Sequence, residues 1–233
     1  MVGFFALIGI SLLGATGCST RQEIQLRLGS QAQMTMELQL NSFFVNYLRD
    51  LGGKSSGPVF DTLSIAAAMN RLGVQVRQME TIGDGTLRMT LEIPDPQQIA
   101  QERLQIPEFI RWNSDGRPSE LRITITQEII RRVLGSTSLI REDSLSFLLP
   151  PPGASASDYL EDLLWIFEEY EPESAIRQSL TRASIEITLN TPRDITQVSG
   201  NGLTQRSARQ ATLTLNVLEM LTLNQEWVFI LRY

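Results

Sequence analysis

Histidine is absent from this 233-residue chain, cysteine occurs once, at Cys18, and lysine occurs once, at Lys54. Without imidazole, neither a Ser-His-Asp triad nor a Cys-His pair can be built, so the commonest activated nucleophiles are excluded. A single thiol permits no disulfide within the chain and no cysteine-based zinc site. Positive charge is also short: 20 basic residues stand against 26 acidic ones, for a net charge of −6. Nucleic-acid binding needs a clustered basic face, and none is present, so no nucleic-acid partner is expected. Gly-x-Ser-x-Gly elbows and phosphate-binding loops are missing too.

The residues that are present give no catalytic constellation. The acidic run "EEYEPE" (Glu168, Glu169, Glu171, Glu173) lacks the fixed loop spacing with which calcium gathers six or more oxygens, and reads as a solvated helix end. The sequence therefore predicts no catalytic residue, no metal site, no cofactor and no enzymatic activity. With 42% hydrophobic and 20% charged residues, the composition is that of a folded domain with a sizeable core. Trp112, Trp165 and Trp227 are read as core residues.

The apolar stretch "VGFFALIGISLLG" (residues 2–14) carries no charge and falls short of the roughly 20 apolar residues that span a bilayer. It fits the apolar core of a secretory signal, ending in small residues before the lone cysteine. "LLGATGC" resembles the lipobox of bacterial lipoprotein precursors, with Ala15, Thr16 and Gly17 in the small-residue positions and Cys18 as the acylated residue. The resemblance implies a signal peptide over 1–17 and a mature chain anchored through palmitate-like acyl chains on Cys18. Two or three such chains give durable membrane attachment. Ser19 at the next position implies, by the proteobacterial sorting pattern, an outer-membrane location facing the periplasm. Strand-like alternation starts at Glu23, which leaves a tether of only a few residues. At no more than about 3.6 Å each, these hold the folded body close to the lipid.

Beyond the tether the pattern is α+β: antiparallel β-hairpins and sheet with several packing helices. "EIQLRL" and "QMTMELQL" alternate at period two. Helices follow at "NSFFVNYLRDLGG" and after Asp61. Hairpins close around "IGDG" and "NSDGRPSE", with short helices in "PQQIAQERL" and "TQEIIRRVLG". "LSFLLPPPGASAS" is the clearest break. It divides an N-terminal α+β region (18–149) from a Pro/Ser-rich loop (150–156) and a region (157–233) with a helix pair followed by C-terminal strands; the two regions form either one domain or two. Leu145, Phe147, Leu148 and Leu149, beside three prolines, are a candidate membrane or ligand lip. The last segments, "SIEITLN", "DITQVSG", "ATLTLNVLEMLTL" and "EWVFILRY", read as strands throughout.

Thr191-Pro192, the Asn201-Gly202 turn and Trp227 in the closing strand resemble the end of LppM-type and uncharacterised spirochaetal surface lipoproteins. That resemblance implies a cell-envelope module and carries no catalytic residues. The expectation is a lipid-anchored envelope protein that binds or scaffolds at the membrane surface, with the membrane and an envelope protein as partners. The alternative is a periplasmic carrier or sensor of a hydrophobic ligand.

Overall fold

The computed structural model describes residues 18–53, 56–136 and 149–233. The fold is α+β: seven helices and two mostly antiparallel sheets lie among these residues. Period-two alternation builds the larger sheet. In β1 (Cys18–Leu26) every second side chain from Thr20 to Leu26 is buried, and in β2 (Ala32–Leu40) Met34, Met36, Leu38 and Leu40 are buried. The chain reverses between them through Gly29 and Ser30, both at positive φ. β3 (Gln75–Ile82) and β4 (Thr86–Ile93) form the hairpin expected at the Asp-Gly turn. β7 (Ser184–Asn190), β9 (Leu203–Ser207) and β10 (Gln210–Asn216) complete seven strands in the order β3-β4-β2-β1-β7-β10-β9. β1 lies at the centre, antiparallel to β2 and parallel to β7.

The smaller sheet runs β5-β6-β11-β8, from β5 (Ile110–Asn113), β6 (Glu120–Ile125), β11 (Trp227–Arg232) and β8 (Gln197–Ser199). Ile110, Trp112, Leu121 and Ile123 of this sheet share a small apolar cavity with Ile24, Leu26, Ile93 and Leu189 of the larger one, so the two pack face to face there. Both sheets draw strands from either side of 150–156, and the buried apolar residues of both regions form one continuous core.

Helices cover the inner face. α1 (Ser42–Gly52) ends on Gly53 in the left-handed region (φ 62°), as a terminal Gly-Gly predicts. Asp61 caps α2 (Thr62–Arg71) by accepting from the Ser64 N–H at 3.1 Å, and Asp95 caps α3 (Pro96–Glu102) in the same way. α4 (Gln127–Ser136) follows β6, and α5 (Ala156–Phe167) and α6 (Glu173–Arg182) lead into β7. The Phe167 ring of α5 sits 5.1 Å from Phe43 and 5.2 Å from Tyr47 of α1, an aromatic cluster that docks the two helices.

The structure corrects the sequence reading in four places. β1 starts at Cys18 itself, so the expected tether from Cys18 to Glu23 is absent: its residues are paired with β2 on one side and, from Ser19, with β7 on the other. "ATLTLNVLEMLTL" does not stay a strand. After Asn216 it turns into α7 (Val217–Leu221), with the Asn216 side chain accepting from the Glu219 N–H at 3.1 Å. Val217, Leu218, Met220 and Leu221 are buried around an exposed Glu219, and so short an apolar run does not separate helix from strand by its period. The polar stretch after Gly202 is strand β9, and "SGNG" carries the chain from the smaller sheet to the larger. Finally, Trp165 is 74% exposed, whereas Trp112 is buried and Trp227 half-buried.

Candidate functional site

Cys18 opens the central strand, with Leu40 as its cross-strand partner. The register then places Ile82, Thr86, Gln39, Ser19, Ser184 and Asn216 in one row across six strands at this end of the sheet. Next to it, on the outer face, Ser19, Arg21, Glu37, Gln39, Ser184 and Glu186 line a polar groove of about 180 Å³.

The second row is an alternating charge ladder. From β3 to β7 it reads Glu80, Arg88, Glu37, Arg21, Glu186. Arg88 bridges Glu37 at 2.7 Å and Glu80 at 3.4 Å, and Arg21 reaches Glu186 at 3.5 Å. The next row carries Thr90, Thr35, Glu23, Thr188 and Thr212, and the row after it amides (Gln33, Gln25, Asn190, Gln210). Exposed ion pairs are screened by water and salt and add little to stability, so the ladder patterns the charge of this face more than it stabilises the sheet. At the far end, Arg77 binds Glu92 and its hydrogen bond holds that carboxyl below the usual carboxylate range. A general acid needs the opposite shift.

Two further cavities lie elsewhere in the fold. The apolar one between the sheets, lined by Ile24, Trp112 and Leu121 among others, holds about 20 Å³. That is room for about one water, so it gives the hydrophobic-carrier alternative no support. The other is an open groove of about 680 Å³ lined by Arg117, Pro118, Arg193, Asp194, Thr196 and Tyr233. Two of its three charged lining residues are engaged locally: Arg209 bonds Asp194 at 2.8 Å, and Arg193 donates to Gly116 O at 3.2 Å and Ser119 Oγ at 3.3 Å, while Arg117 is exposed.

Of the candidate lip, Leu145, Phe147 and Leu148 lie outside the described residues. Leu149 is half-buried and packs on the core, and Pro150 is buried with its carbonyl accepting from Arg131. The acidic run divides: Glu173 bonds Arg177 at 2.8 Å, Glu171 accepts from Ser42, and Glu168 and Glu169 face solvent. Among the described residues no three His, Cys, Asp or Glu side chains are placed to hold a metal ion, and no helix is long and apolar enough to cross a membrane. Sequence reasoning missed the exposed Trp165. The signal was available in its flanks, since Glu161, Asp162, Glu168 and Glu169 stand at helical spacing around it.

Comparison with family models, with curated proteins and with solved structures finds no match to this chain.

Proposed function

We propose that the protein is a lipid-anchored module of the bacterial cell envelope, acylated at Cys18, which binds or scaffolds a partner at the membrane surface and is not an enzyme. One observation carries the reading. The only cysteine closes an uncharged stretch ending in small residues, and it is also the first residue of the central strand. An acyl group there leaves no linker between lipid and fold. The sheet end bearing Ser19, Ser184, Asn216 and the 44%-exposed Ile82 then rests at the headgroups. The periplasmic face of the outer membrane is the proposed location, from Ser19 after the cysteine. The similarity of the C-terminal third to LppM-type lipoproteins supports an envelope role.

Mass spectrometry of the mature protein tests this. The expected N-terminal peptide starts at Cys18 and carries a diacylglyceryl mass, and metabolic labelling with an alkyne-bearing palmitate analogue is lost in Cys18→Ser. An unmodified Cys18, or label retained by the variant, refutes the anchor.

A further inference from the structure

We infer that the solvent face of α5 is a docking surface for an arginine- or lysine-bearing segment of a partner protein, with Trp165 as its anchor. α5 is well buried on one side: Tyr159, Leu163, Leu164 and Phe167 all face the core. Trp165 projects from the other side and is 74% exposed, although indole is among the side chains that gain most from burial. Residues three and four positions away on a helix are its surface neighbours. Here those positions hold Glu161 and Asp162 within the helix and Glu168 and Glu169 in the turn that follows it, all exposed. Glu168 keeps helical dihedrals (φ −57°, ψ −25°) past the end of α5, which carries the face one residue further.

Three features fit a cationic occupant. Arg177 bonds Glu161 at 2.9 Å, while Asp162, Glu168 and Glu169 form no ion pair with arginine among the described residues. Glu168 and Glu169 stand at the helix C-terminus with no basic residue in the last turn; the helix dipole disfavours anions there, and a bound cation relieves this. An exposed indole face attracts guanidinium and ammonium groups, most strongly once desolvated, and tryptophan dominates interface hot spots. The same acidic ring disfavours anionic lipid, which separates this surface from the membrane-facing sheet end. The inference deepens the binding half of the proposed function and rests on that reading for its biological setting, but not on acylation of Cys18.

The test uses the full chain in neutral detergent, with hexaarginine as the probe and tryptophan emission and calorimetry as readouts. Acylation is read by mass on the same sample, so failure of the anchor and failure of the docking surface are told apart. Hexaarginine is expected to bind and to shift the emission. Trp165→Ala and, separately, Glu168→Gln with Glu169→Gln are expected to weaken binding at least tenfold. Glu102→Gln with Glu108→Gln removes equal charge from another exposed site and is expected to bind like wild type. Absence of binding overturns the inference. So does equal weakening by the two charge pairs, which marks general attraction to an acidic protein, or binding to phosphatidylglycerol vesicles that is lost in Trp165→Ala, which assigns the indole to lipid.

Discussion

The Trp112 indole N–H donates to the phenolic oxygen of Tyr233 at 2.7 Å, closing a contact across 121 positions between β5 and the residue that follows β11. Tyr233 is also tied through its backbone to Ser119 in both directions, at 2.8 and 3.0 Å. Tyr233→Phe keeps the ring and removes the acceptor, which leaves a buried indole donor unsatisfied. The expected cost is about 1–3 kcal/mol, read by urea denaturation.

Alkaline titration should be late. All four tyrosines have their ionisation raised: burial pushes the Tyr47 phenol up to about 12, with Tyr170 adding to it, and burial likewise raises Tyr159, Tyr170 and Tyr233. The folded state thus favours the neutral phenol. Its contribution to stability is complete below the unfolded value near 10 and is lost as pH rises through the folded value, about 12 for Tyr47. Absorbance at 295 nm should therefore stay low to above pH 10 and rise together with unfolding. A rise near pH 10 with circular dichroism intact contradicts this.

Two aromatic residues two positions apart on α5 should behave oppositely. Phe167 is fully buried against Phe43, Phe44 and Tyr47, so Phe167→Ala is expected to cost about 3–5 kcal/mol. Trp165→Ala, on the exposed face, is expected to stay within about 0.5 kcal/mol of wild type. Denaturant melts of the two variants check the pair.

Gly202 crosses between sheets at φ +77°, and a Cβ there would meet Thr214 O at 2.3 Å. Gly153 has nearly the same backbone, φ +78°, with nothing within 4 Å. Gly153→Ala should cost only the left-handed penalty, about 1–2 kcal/mol. Gly202→Ala should cost about 1–3 kcal/mol more through overpacking. Equal melting temperatures would disprove the close approach.

Removal of Cys18 to Gln22 tests the missing tether. It deletes the first five residues of the nine-residue central strand and unpairs both β2 and β7. A chain starting at Glu23 is expected to melt about 10 °C or more below one starting at position 18 with Cys18→Ser, since each kcal/mol moves the midpoint of a domain this size by about 2–4 °C. Equal midpoints would restore a tether.

Local signals in the chain specify the class of fold, the hairpins at "IGDG" and "NSDGRPSE", the caps at Asp61 and Asp95, and the exclusion of imidazole and disulfide chemistry. Each of these is local: an alternation, a turn residue, a capping side chain or an absence. The chain also carries Cys18 at the end of an apolar stretch. That the same cysteine begins the central strand follows from long-range pairing: the parallel match of β1 with β7, more than 150 positions away, leaves no mark in either segment. The switch from β10 to α7 was hidden because a five-residue helix is too short for its period to be told from a strand's. The charge ladder needed the register of five strands, since no segment holds more than two of its members. Trp165 shows the limit most directly: its helical spacing could be read from the chain, but which face of α5 met the core was settled by Phe167 packing on α1. That contact turned the indole, with its four carboxylates, toward solvent.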